Sequence, residues 1–103
     1  MGLLAAVALP ANTVTNVWTC AENFESGFNV NICNRGQTNT TVRLALTLGE
    51  DPTDANWLEF DYVLPPSGVL ERTGLTLSSG QKIYAFAASA AVSVSIYGVK
   101  TAN

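Results

Sequence analysis

The side chains that could do chemistry in this chain are few, and most are acidic. Glu59 and Asp61 share one parity of the stretch Trp57–Leu64, and Glu71 lies a short way downstream. Two carboxylates on one strand face are the acid–base apparatus of many glycosidases. A different use fits their surroundings better. If residues 65–68 (Pro-Pro-Ser-Gly) form a four-residue loop, Leu64 faces Val69, Tyr62 faces Glu71 and Asp61 faces Arg72. An Asp–Arg pair across two strands contributes a few tenths to about 1 kcal/mol and helps to set register. Asp61 and Arg72 are therefore expected as a structural pair on a solvated strand face. Asp51 and Asp54 could ligate a cation, but calcium takes roughly six to eight oxygens, and the loop lacks the alternating Asp/Asn pattern of a dedicated site. One short helical turn, with Asp51 as N-cap and Pro52 at the first position, fits better. Cys20, Cys33 and the serines have no general base, because the chain has no histidine. Two cysteines without histidine also make a poor zinc site. No catalytic residue, metal or cofactor is expected.

Two further groups of residues have a functional and an ordinary reading. Trp18, Trp57, Tyr62, Tyr84 and Tyr97 could line a sugar-binding face; aromatic residues also fill cores and protein interfaces. The run 85–91 (Ala-Phe-Ala-Ala-Ser-Ala-Ala) would let another backbone approach closely, or would simply close a tight hairpin between the last two strands.

All of these residues would be positioned by strands. Residues 57–77 read as a hairpin: Leu58, Phe60, Tyr62 and Leu64 share a parity, as on a strand with one buried face. Pro65 to Gly68 stop the strand, since proline fixes φ and lacks an N–H while glycine permits φ > 0. Upstream, residues 13–20 are rich in β-branched and aromatic residues. Residues 21–27 read as a polar turn. In 28–33 Phe28, Val30 and Ile32 alternate with Asn29, Asn31 and Cys33. In 41–48 Val42, Leu44, Leu46 and Leu48 are expected to point inward. Downstream, 81–88 and 91–100 read as the last strands, with Val92, Val94 and Ile96 inward. Gly74 and Gly98 stand inside strands and suggest bulges. Leu9-Pro10 followed by Val14 echoes Leu64-Pro65 followed by Val69, which points to a shared turn solution. No helical period appears. Seven or eight strands at this spacing predict an all-β fold, an antiparallel β-sandwich that is jelly-roll-like or a related Greek key.

The totals narrow the function classes. The chain has 103 residues, enough for one domain. Apolar residues make up 48% and charged residues 13%, against about 25% charged in ordinary domains. Such a surface is expected to be covered by other copies or partners. Net charge is −3 and the five basic residues are dispersed, so direct contact with nucleic acid is not expected. Residues 1–9 are apolar but lack the basic start of a signal peptide, and are too short to span a bilayer. Residues 1–12 are thus read as an apolar N-terminal arm or edge strand and 13–103 as a single sandwich domain. Leu3, Leu4, Val7 and Leu9 on the arm, with Trp18 and Trp57, are the partner-binding candidates. Cys20 and Cys33 would face each other if a turn sat at Ser26-Gly27 and would not if it sat earlier; two reduced, mostly buried thiols are favoured.

Several stretches carry a resemblance. They are 17–19 (Val-Trp-Thr), 30–36 (Val-Asn-Ile-Cys-Asn-Arg-Gly), 42–46 (Val-Arg-Leu-Ala-Leu), 57–62, 63–74 (Val-Leu-Pro-Pro-Ser-Gly-Val-Leu-Glu-Arg-Thr-Gly) and 92–98 (Val-Ser-Val-Ser-Ile-Tyr-Gly). Over nearly the whole chain after residue 12, the pattern resembles a family of small β-sandwich virion proteins of tailed bacteriophages. It departs at 21–24, where the family tends to have a proline-containing turn. The resemblance implies a non-enzymatic structural subunit, with no catalytic residues to carry over. The expected role is capsid decoration (cement) in the virion, assembled in the host cytoplasm. Expected partners are the major capsid protein or tail proteins and other copies of the chain, with no membrane. A tail, baseplate or fibre component is the alternative, and a carbohydrate-binding module the second.

Overall fold

The computed structural model describes residues 2–102; Met1 and Asn103, the outer limits of the expected arm and domain, lie outside them. The described residues form eight strands and no helix. They are β1 (Gly2–Ala8), β2 (Thr15–Thr19), β3 (Phe24–Asn34), β4 (Thr40–Thr47), β5 (Trp57–Leu64), β6 (Val69–Leu77), β7 (Lys82–Ala87) and β8 (Val92–Ala102). Two four-stranded antiparallel sheets result, sheet A in the order β1-β8-β3-β6 and sheet B in the order β2-β7-β4-β5. The expected antiparallel β-sandwich is present.

Between the sheets lies one apolar core. Phe28, Val30 and Ile32 of β3 and Val92, Val94 and Ile96 of β8 meet Val42 and Leu44 of β4 and Ile83, Ala85 and Ala87 of β7. Each fully buried aliphatic side chain contributes roughly 1.5–3 kcal/mol. The alternation that the sequence shows in β3 and β8 is the alternation that the fold buries.

The ladders are nested. β1 pairs with β8, β2 with β7, β3 with β6 and β4 with β5. Of strands consecutive in sequence, only β4 and β5 pair. The expected hairpin over 57–77 is therefore corrected. β5 lies in sheet B and β6 in sheet A, so the Pro65–Gly68 turn crosses between sheets. The same holds for β7 and β8, whose connection through 88–91 is a crossing and not a hairpin. Two crossings share the noted echo: Leu9 and Leu64 each seal the core just before a proline.

Bulges account for most other differences. β5 has two, between the Val42, Leu44 and Ala45 pairings of β4, and Asp61 there has φ 55°. They reset the parity upstream of Tyr62, so that Phe60 and Leu58 are exposed; Tyr62 keeps the parity of Leu64 but is exposed on the edge strand, and only Leu64 of that set is buried. β6 has the expected bulge at Gly74, whose φ is 72° and across which Arg72 and Leu75 are spaced by one extra residue against β3. Gly98 is not a bulge, because β3 and β8 stay in register past it. A Cβ there would run into the backbone of Gly27 and Phe28, so glycine serves close approach. β4 ends at Thr47, which leaves Leu48 76% exposed rather than inward. β3 begins at Phe24, inside the expected turn; the turn sits at 21–23 with Asn23 at φ 67°. Cys20 and Cys33 therefore do not face each other across a hairpin; both are free, the first buried and the second half-buried. Finally, 49–56 contains no helix. Asn56 Oδ1 there accepts from Thr53 N and Oγ1 at 2.8 and 3.0 Å, and Asp51 caps nothing.

Candidate interaction surfaces

The carboxylates are dispersed by the fold. Glu59 lies opposite Leu44 at the inner edge of sheet B and accepts from Arg72 Nη1 at 2.5 Å. This pair ties the edges of the two sheets together. Asp61 pairs with Arg43, Nε to Oδ1 at 2.7 Å. Glu71, opposite Asn31 on sheet A, accepts from Tyr97 OH at 2.7 Å. The expected Asp61–Arg72 pair is thus replaced by Asp61–Arg43 and Glu59–Arg72, because β5 never lies beside β6. The three acids share no site. Among the described residues, no group of three or more His, Cys, Asp or Glu could hold a metal ion.

The partner-binding candidates fall in different environments. β1 is hydrogen-bonded along β8 as the outer strand of sheet A. Leu3 is 66% exposed, Leu4 and Val7 are half-buried against the core, and Leu9 is in the core. Leu9 is corrected as a contact residue: at 2% exposure it has no surface to offer. Trp18 packs edge-to-face on Phe28 with centroids 5.9 Å apart, half-buried against the core. Trp57 opposes Ala45 on the outer face of sheet B.

Four strands are sheet edges, and the two sides of the sandwich treat them differently. On one side, β5 and β6 carry Glu59, Asp61, Glu71 and Arg72, and both are bulged. Charge and bulges are the usual guards against pairing with another chain. On the other side, β1 packs beside β2. These edges have one register irregularity each but no charged side chain; the first charged residue of the chain is Glu22.

The outer face of sheet B is aromatic. Arg43 stacks between Phe60 and Phe86, its Cζ 4.1 and 4.5 Å from the ring centroids. Phe60 meets Trp57 edge-to-face at 5.6 Å. Beyond Trp57 lies a groove of about 290 Å³ lined by Val14, Asp51, Pro52, Trp57 and Tyr84. Tyr84 OH donates to Asp51 Oδ1 at 3.4 Å. Burial raises the Tyr84 pKa above its usual value, and the Asp51 carboxylate adds to the rise. Of the five aromatic residues considered for sugar, only Trp57 and Tyr84 come together. Phe60 and Phe86 escape sequence reasoning, because Phe60 stands on the parity that appears buried and Phe86 sits in an alanine run.

One motif residue proves to be structural. Asn34, 1% exposed, donates through Nδ2 to the carbonyls of Thr38, Leu64 and Pro65 at 2.9–3.2 Å. Its Oδ1 accepts from Gly36 N at 2.9 Å. It pins the 35–39 loop to the β5–β6 crossing.

No protein-family model matches this chain, and no curated protein matches it.

Proposed function

We propose that this chain is a non-enzymatic structural subunit of a tailed-phage virion, a capsid decoration (cement) protein acting by protein–protein association. The observation that carries the association is the uncharged side of the sandwich. β1 and β2 present unpaired backbone groups with no charge to deter a partner strand. Exposed Leu3 adds apolar surface to that edge. The low charge of the chain supports the same reading. The nested strand pairing fits a jelly roll, a fold used in viral capsids, and the sequence resemblance points to the phage particle. A cement protein needs one rigid module and one adhesive segment; the core supplies the first and the β1–β2 side the second. Its partners are the major capsid protein and other copies of the chain. A tail component would use the same edge.

The test is gold-labelled antibody on assembled particles, with binding of purified chain to heads that lack it. Label on heads, and loss of head binding in the Leu3→Lys variant with its melting curve retained, is the expected result. Label confined to tails moves the chain to the tail; absence from the particle sinks the reading. The point substitution is cleaner than deletion of residues 1–9, which would strip β8 of one of its two neighbours and take Leu9 from the core.

A further inference from the structure

We propose that the groove between Trp57 and Tyr84 on the outer face of sheet B is a receptor for a basic side chain, a guanidinium first, offered by a partner protein. Its wall is aromatic on two sides and acidic at the lip, where Asp51 and Pro52 close it. A second hollow on the other side of Trp57 repeats the combination with Asp54 and Phe60. Both carboxylates come from the 49–56 loop, which carries Glu50, Asp51 and Asp54 and no basic residue. Among the described residues, the ion pairs are Arg43–Asp61 and Arg72–Glu59. The loop acids are in neither, so the groove presents negative charge beside the half-exposed Trp57 ring, with the buried Tyr84 ring at its floor.

The same sheet face shows what such a surface holds. Arg43 lies between the rings of Phe60 and Phe86 with its guanidinium on Asp61, Nε to Oδ1 at 2.7 Å and Nη2 to Oδ2 at 3.3 Å. Two rings and a carboxylate are a complete site for an internal cation. The groove one residue along, past Trp57, offers an indole, a phenol and a carboxylate, with no cation of its own. A neutral sugar fits less well. It would stack on Trp57, but sugar hydroxyls need donors as well as acceptors, and the lining contains no amide or basic side chain. Charge complementarity therefore selects the cation. The site is independent of which particle the chain belongs to.

The experiment is an NMR titration of the intact, isotope-labelled chain, following the Trp57 indole N–H with the Trp18 indole as internal control. Three probes are compared: Nα-acetyl-arginine methylamide, its neutral isostere Nα-acetyl-citrulline methylamide, and methyl glucoside. The expected result is a saturable shift at Trp57 with the arginine probe and none with citrulline. Affinity should fall roughly three- to tenfold in Asp51→Asn and weaken with added salt. The Asp51→Asn spectrum itself reports whether that variant is folded, and Asp54→Asn gives a second, more exposed test of the acidic lip. Equal shifts with citrulline, an unchanged affinity in both variants, or no shift with any probe would overturn the proposal. A response to the glucoside alone would also overturn it and make the groove a carbohydrate site. Failure here would leave the head-binding experiment untouched, since Leu3 and Trp57 lie on different surfaces.

Discussion

Asn34 shows how one side chain can hold a crossing in place. The chain leaves sheet B at Leu64 and enters sheet A at Val69, through a turn in which Gly68 N donates to the Pro65 carbonyl at 2.8 Å. Asn34 adds side-chain donors to the Leu64 and Pro65 carbonyls from the end of β3, and its backbone N and O bond to Gly68 and Ser67. Replacing Asn34 with alanine removes the side-chain donor from the buried Leu64 carbonyl and unties the 35–39 loop, a loss of about 1–3 kcal/mol for an orphaned buried acceptor. The expected loss is about 1–3 kcal/mol by urea unfolding. Asn34→Asp keeps the shape but lacks the amide donors, and should lose at least as much. A stable aspartate variant would show that the amide is not what holds the turn. The stretch 33–36 is conspicuous in the sequence, but its purpose is visible only when residues about thirty positions away arrive beside it.

At the scale of elements, the edges of the two sheets are joined by Glu59 and Arg72, half-exposed residues on neighbouring edges. An exposed or half-exposed pair contributes about 0.2–1 kcal/mol. A double-mutant cycle with Glu59→Gln and Arg72→Gln should show a coupling within that range. The cycle for Asp61 and Arg72 should show none, because Asp61 is held by Arg43. Coupling between Asp61 and Arg72 would mean that β5 and β6 pair as a hairpin after all. The alternation of β5 reads as a buried strand only if the strand is regular; its bulges, which the residue types do not announce, turn Phe60 outward to meet Arg43.

For the whole molecule, the decisive asymmetry is between a side whose edge strands carry charge and a side whose edge strands carry none. Isolated chain should therefore self-associate with rising concentration in sedimentation velocity runs. A charge placed on the open edge, as in Leu3→Lys or Ala6→Lys, should shift the distribution towards monomer without lowering the melting temperature by more than a few degrees. A wild-type chain that stays monomeric at high concentration would remove the basis for association through β1.

An all-β chain, the place of most strands, the core residues of β3 and β8 and the shortage of charge are all legible in the residues alone. These follow from period-two alternation and composition, which are local properties. Which strands pair is not legible there, because a turn of four residues can close a hairpin or step between sheets with the same prolines and glycine. That choice is made by the core: nesting β4–β5 inside β3–β6, β2–β7 and β1–β8 buries both sets of apolar faces at once. It also moved Arg72 from Asp61 to Glu59, put Leu9 out of reach, and brought Trp57, Tyr84 and Asp51 from separate stretches of chain to one groove.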